Sequence, residues 1–468
     1  MTRVATADAI DAYRAYLKPG AELVQIFAID GLDRIGIPVC NATVWGEPSA
    51  QGIGYGDTPE QAMLGALGEA TEGLAAARYA TAANVRELTV AQAAREGGVH
   101  PARLSLVTGT ELDDHARLLW VPARTWPGDE PRLLPLEAVT TSTSEFQRAA
   151  AALGAREPLF PPITNGLGAA VFGDREWAIR HGLHELLQRD LNWSQFKALD
   201  TGRSVDARRV ALDLAQRAEV AGLQLRLKYA GSTLGVHSLH CSAVDVEGFT
   251  PAVARTATGE GAHPDPLAAG RKAILELCAS RCRKHFSFGG EAALVIAPTA
   301  YRERARKIAR SHDRELSWDL AARFDDLIGD PVALDGVVKR ITHVSEHVEL
   351  PAASPGGGLA VALQNEGLEA IIADLTADEE PVHVVKVVVP GLEAEVLSHH
   401  RLSERGVARL AQRCPRLVAR GAAAPGPGWQ RAVTQDAEAW IDVAAMEHLT
   451  APFLPLYREP GRHAYSIP

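Results

Sequence analysis

The stretch Gly54-Tyr55-Gly56-Asp57-Thr58-Pro59-Glu60-Gln61, running on into an Ala/Leu-rich segment that carries Glu69 and Glu72, decides how the chain is read. It has the form of a Gly-rich turn feeding a helix. Thr58 is placed to cap that helix, Pro59 to take its first position and Gln61 to close a capping box. Ala62, Gly65, Ala66 and Ala70 are small enough to let the helix lie close against another element. The same layout returns twice. Gly166-Leu167-Gly168 and Gly173-Asp174 precede a segment with Glu185 and Gln188, and Gly259-Glu260-Gly261 and Asp265-Pro266 precede one with Glu276, Ser280 and Arg281. Asp174 and Asp265 are the natural caps of these two helices. The units lie too far apart for a solenoid repeat.

Working outward, residues 118–121 and 223–227 have strand character, the second with clean alternation. Residues 236–246 and 382–389 are further strands, the latter apolar enough to be central in a sheet. Helices and strands interleave, so the class is α/β or α+β. Residues 122–134 are proline-rich without a period and read as a surface connection. Residues 351–358 and 422–428 read as loops. The 468 residues, 46% hydrophobic and 23% charged, fit two or three domains or one large one. Five cysteines without a CxxC pair suggest reduced thiols and a cytoplasmic compartment. The polar N-terminus is not a signal peptide, and no apolar run approaches the roughly 18 residues of a membrane helix. A net charge of −10 argues against nucleic acid as the main partner.

Glu69 and Glu72 share a helix face, Glu185 and Gln188 repeat their spacing, and Glu276 sits at a comparable depth in its own helix. Glu side chains converging beside Gly-rich turns are what a Mg²⁺–nucleotide site needs: hard oxygen ligands for the metal, backbone N–H groups for phosphate. Arg281 is a candidate to neutralise phosphate charge. The competing reading is three solvated helix faces, and the spacing names no ligand. No GxxxxGK[ST] is present. His184-Glu185-Leu186-Leu187-Gln188 is half a zinc-protease motif, with Gln188 where the second His belongs. Cys278, Cys282 and His285 share a helical face but lack a fourth metal ligand, and buried thiols are the commoner reading.

At these residues the chain resembles the YcaO family. The resemblance begins at Gly31-Leu32-Asp33-Arg34-Ile35-Gly36-Ile37-Pro38-Val39 and continues through Gly54-Tyr55-Gly56 and Ala66-Leu67-Gly68-Glu69-Ala70-Thr71-Glu72. It takes in Thr164-Asn165-Gly166-Leu167, His184 to Asp190, Gly261 to Asp265, Glu276 to Arg281, and Val387-Val388-Val389-Pro390-Gly391-Leu392. It implies a YcaO-like fold of mixed sheets, with three Glu-bearing helices around an ATP cleft, over residues 25–400. Residues 1–24 then form an N-terminal segment and 401–468 a C-terminal helical or extended one. The implied activity is ATP- and Mg²⁺-dependent activation of backbone amides in a ribosomally made peptide, giving an azoline, a macrocyclic amidine or a thioamide. A degenerate peptide- or nucleotide-binding scaffold is the non-catalytic alternative. Carried over by position, Glu69, Glu72, Glu185 and Gln188 match metal ligands, and these with Asn165, Glu276 and Arg281 match the ATP site. No residue is singled out as catalytic. The chain departs from the family pattern at Gln188 (usually Glu), Tyr55 (usually Lys), Ala279 (usually Gln) and Trp177 (usually acidic). The short N-terminal segment and the ending Ala464-Tyr465-Ser466-Ile467-Pro468, without alternating prolines, point to the standalone type, similar to YcaO enzymes of bottromycin-type pathways. The expected partner is a precursor peptide, with no obligate leader-binding partner, no nucleic acid and no membrane; a homodimer is left open.

Overall fold

Each Glu-bearing segment folds as a long helix laid across a sheet. In the computed structural model these helices are α1 (Pro59–Ala82), α2 (Arg175–Phe196) and α3 (Pro266–Phe288). The structure describes residues 6–450 other than 83, 155, 173, 197–202, 249–251, 310–334, 337–338, 340–342, 345, 355–357, 378–380, 394–400 and 436–437. Gly173, the boundary expected at residue 400 and the chain ending at Pro468 lie outside the described residues.

Helix α1 lies on an antiparallel sheet of β1 (Ala21–Ala28), β2 (Val39–Gly46) and β3 (Ala50–Tyr55). Helix α2 follows β7 (Leu167–Val171), the edge of a six-stranded antiparallel sheet. That sheet runs β4 (Arg86–Thr89), β5 (Arg117–Trp126), β13 (Ala370–Asp374), β14 (Val382–Val388), β7, with β6 (Pro131–Pro135) paired on β5. Helix α3 follows β11 (Thr256–His263), at the edge of a sheet ordered β11, β10 (Val236–Asp245), β9 (Leu223–Thr233), β8 (Arg203–Val205), β12 (Glu346–His347). Only β8 and β12 pair in parallel, which makes this sheet mixed. The fold is mixed α/β, as the interleaved pattern predicts. Strand β14 is interior to its sheet and buried at every position but His383, and β10 is buried at every position.

The helix starts follow their caps. Gln61 N–H donates to Thr58 Oγ1 at 3.3 Å, Trp177 N–H to the Asp174 carboxylate at 3.0 Å, and Leu267 N–H to Asp265 at 2.9 Å. The Gln61 side chain reaches back to the Asp57 N–H at 2.9 Å, one residue before the position a capping box predicts.

The glycines correct the reading of Gly-rich turns. Gly52 and Gly54 lie within β3, Gly168 within β7, and Gly259 and Gly261 within β11. A Cβ at Gly54 would collide with the backbone of Ala62 and Ala66. One at Gly168 would meet Ala178, and ones at Gly259 and Gly261 would meet Ala273 and Ala269. These glycines let helix backbone settle directly onto strand backbone. A second correction concerns residues 122–134, which form most of the β5–β6 hairpin rather than a surface connection. Pro131 and Pro135 are the end residues of β6, whose other side carries only an isolated bridge between Gly98 and Leu133, so their missing N–H groups fall outside it.

The largest hydrophobic cluster joins α1 to the six-stranded sheet through Leu67, Ala70, Leu74, Trp120, Leu134 and Val384. A second joins α3 to the mixed sheet through Leu227, Leu239, Ala273 and Leu277. A third gathers Trp193 of α2 with Val407 and Leu410 of helix α4 (Glu404–Arg413), and with Ile441 and Met446 beyond it. Among the described residues no helix is long and apolar enough to cross a membrane.

Candidate active site

Strand backbone and helix carboxylate meet twice in the same way. The Ile53 N–H on β3 donates to Glu69 of α1 at 2.7 Å, and the Gly166 N–H just before β7 donates to Glu185 of α2 at 2.8 Å. Backbone N–H groups expected for phosphate oxygens are thus used to aim carboxylates. At the third helix the donor is a side chain: Tyr55 Oη donates to Glu276 at 3.0 Å, linking β3 to α3. Gln188 Nε2 donates to Glu260 of β11 at 3.3 Å. Arg189 spans the gap, 3.3 Å from Glu260 and 3.5 Å from Glu185. Lys272 Nζ lies 3.5 Å from Gln188 Oε1.

The electrostatics confirm that the helices share one site. Glu72 is pushed up to about 8, by burial first and then by the Glu185 and Glu69 charges, against relief from the Ala169 N–H and Lys386. Glu260 is pushed up to about 7 by burial, opposed by Arg189 and reinforced by Glu276. Burial, with Glu276 beside it, raises the Tyr55 phenol well above its usual value. Helices remote from one another would not show this mutual repulsion. The carboxylates form one cluster, exposed at Glu69 and closed at Gln188 and Glu260.

The structure therefore brings together Glu69, Glu72, Glu185, Gln188 and Glu276. Asn165 is buried next to Gly166, whose N–H holds Glu185. Arg281 departs from the expectation. It has no exposure and lies between Asp33, at 3.1 Å, and Asp245, at 3.0 Å, with a further bond to the Ala254 carbonyl. Its guanidinium fastens α3 to the strand ending at Asp245. The half zinc motif contributes Glu185 to the carboxylate cluster. Cys278 and Cys282 lie in two different packed clusters, and His285 Nδ1 is 2.7 Å from the Leu32 carbonyl.

Three site residues escaped the sequence reading: Glu260, Arg189 and Lys272. Glu260 carried a usable signal. Gly259 and Gly261 face α3, and strand side chains alternate, so the residue between them must point to the opposite face, where α2 passes. The same logic turns Tyr55 away from the α1 side occupied by Gly54.

Oxygen donors of this kind suit Mg²⁺. Among the described residues no three His, Cys, Asp or Glu side chains form a ready cage. Mg²⁺ takes one or two carboxylates and completes its shell with phosphate oxygens and water.

A family model described as YcaO cyclodehydratase, ATP- and Mg²⁺-binding, matches residues 53–393. The chain belongs to the YcaO family. Its cofactors are ATP and Mg²⁺. An uncharacterized protein of Methanothermobacter thermautotrophicus is 30% identical over 400 residues, 82% of this chain and 93% of that one. The YcaO structure from Methanopyrus kandleri bound with AMPPCP and Mg²⁺ is 20% identical, with a TM-score of 0.56, over 86% of this chain and 94% of that one. A heterocyclase in complex with substrate and cofactor is 18% identical, with a TM-score of 0.57, over 83% of this chain. The chain spans about half the length of that heterocyclase, 52%. These likenesses show that the three helix-on-sheet units are the YcaO architecture.

Proposed function

We propose that this YcaO protein uses ATP and Mg²⁺ to activate a backbone amide in a ribosomally made peptide, closing an azoline ring. The observation that carries the reading is the carboxylate cluster of Glu69, Glu72, Glu185 and Glu276, delivered by three helices and fixed by strand N–H groups and Tyr55. In the reaction a Cys thiol, or a Ser or Thr hydroxyl, attacks the preceding amide carbonyl carbon. The new C–S or C–O bond forms as the nucleophile's proton departs and the carbonyl oxygen takes the negative charge. That oxygen accepts the γ-phosphoryl group, releasing ADP. Loss of the amide N–H proton and cleavage of the C–O bond then expel phosphate and leave C=N. The peptide loses one water for each ATP hydrolysed.

An amide oxygen is a poor leaving group, so the work lies in phosphorylating it, and the protein's task is positioning and charge neutralisation. Glu69, Glu72 and Glu185 offer the carboxylates of which one or two would hold Mg²⁺, and the metal would supply the charge that lets a polyphosphate enter a carboxylate-lined cleft. Arg189 ties Glu185 to Glu260 and keeps two carboxylates of different elements at fixed separation.

The test combines the purified chain with ATP, Mg²⁺ and a panel of short peptides bearing Cys, Ser or Thr. Phosphate release with a matching loss of one water by mass is the expected result. With sulfide added to the same mixture, gain of sulfur in place of oxygen would indicate thioamide chemistry. Failure to bind ATP with Mg²⁺ overturns the reading.

A further inference from the structure

Three arginines near the carboxylate cluster are held by carboxylates, and Lys386 donates to the Ile163 carbonyl at 2.6 Å. Arg281 is held by Asp33 and Asp245. Arg189 is held by Glu185 and Glu260. Arg271, one residue before Lys272, is held by Asp57 and Asp213. Lys272, half-buried on α3 one turn before Glu276, has no carboxylate within ion-pair distance among the described residues. Its neighbour is the amide oxygen of Gln188, 3.5 Å away.

We infer that Lys272 is a phosphate-binding residue of this site, and that neutral Gln188 is what keeps it available. The inference rests on the ATP reading above. A Glu at position 188 would place a full negative charge beside the ammonium, where the amide oxygen now lies at 3.5 Å. The ammonium would then be spent on that carboxylate. An amide oxygen orients the lysine without neutralising it. The positive charge that a carboxylate-bound Mg²⁺ would bring to this corner is supplied instead by a side chain, and its complement is a polyphosphate oxygen. Gln188 is then half of a paired exchange, a ligand charge removed and a protein cation left free, rather than a lesion in the metal site.

The test uses the full chain, with ATP as the probe and calorimetry over a Mg²⁺ series as the readout. Lys272→Gln weakens Mg²⁺-dependent ATP binding by about tenfold, the loss of one charge-assisted bond, and Lys272→Arg retains most of it. Gln188→Glu alone also weakens binding, because the new carboxylate captures Lys272. In the double variant that carboxylate is released to metal, so ATP affinity exceeds that of Lys272→Gln alone and depends more steeply on Mg²⁺. Wild-type affinity for Lys272→Gln, or strict additivity in the cycle, overturns the inference while leaving the ATP reading intact. Absence of Mg²⁺-dependent ATP binding by the unaltered chain overturns both. Should Lys272→Gln fail to fold by circular dichroism, Lys272→Met takes its place in the same cycle.

Discussion

Glu137 is almost wholly buried, with one carboxylate oxygen accepting the Leu159 N–H at 3.1 Å and the other without a hydrogen-bond partner among the described residues. Burial pushes it up to about 7, against relief from the Glu137 and Leu159 backbone N–H groups and Arg156. A carboxyl whose folded value exceeds its unfolded one binds a proton more tightly in the native state. Its contribution is therefore complete in acid and declines as pH rises from about 4.5 to about 7. Glu137→Gln keeps an acceptor for Leu159 and removes the titration. Urea unfolding is expected to find this variant more stable than wild type by about 1 to 3 kcal/mol at pH 8, and little different at pH 4. Arg281 makes the opposite case. Its loss takes the guanidinium from the buried Asp33 carboxylate, while Asp245 keeps Arg34 at 2.6 Å, and breaking a buried pair of this kind costs about 3–5 kcal/mol. Arg281→Ala should lower the unfolding midpoint sharply while ATP affinity, measured by calorimetry on the folded fraction, stays close to wild type. Tenfold weaker ATP binding at unchanged stability would return Arg281 to the phosphate site. Spacing places Arg281 on the site helix, but only tertiary structure shows Asp33 and Asp245 arriving from distant segments to claim it.

At the scale of elements, the helix–strand junctions carry the fold. Gly259→Ala would drive a methyl into the Ala273 carbonyl and the Leu277 amide, both backbone, so α3 must lift from β11. The expected loss is at least about 2 kcal/mol. Gly426, with nothing within 4 Å of its added methyl, is the control, and Gly426→Ala should be neutral or slightly stabilising. Chemical denaturation of the two variants separates them. Helix starts were legible because caps are local: Thr58, Asp174 and Asp265 each bind an amide two or three residues on. The β5–β6 hairpin was not, because whether a proline breaks a strand depends on which side of that strand has a neighbour. The glycine pattern was visible, yet its cause is an approach between backbones that no single segment reveals.

For the molecule as a whole, ligand and stability are coupled through the carboxylate cluster. ATP at about a hundred times its dissociation constant should add about 2.7 kcal/mol to stability when Mg²⁺ is present, and far less with the metal chelated. Glu69→Gln, which keeps an acceptor for the Ile53 N–H but removes a charge, should abolish that increment while the unliganded chain unfolds near the wild-type temperature. Differential scanning calorimetry with and without chelator reads both effects. The helix contribution to this site was legible because i, i+3 spacing survives in any packing. Glu260 was legible only through the glycines on either side of it, and Lys272 was not, because its role depends on α2 bringing Gln188 within 3.5 Å. Helix α2 has one more property. Its middle holds Glu185 and Gln188, while Asp190 is gripped by Arg409 at 2.6 Å and Trp193 is sunk among Val407, Leu410 and Met446. The C-terminal unit is thus a counterweight clamped to the tail of a beam whose midpoint is the bench for chemistry. Loosening the clamp by Arg409→Ala is expected to weaken Mg²⁺-dependent ATP binding, read by calorimetry, through a residue that belongs to the counterweight and not to the bench.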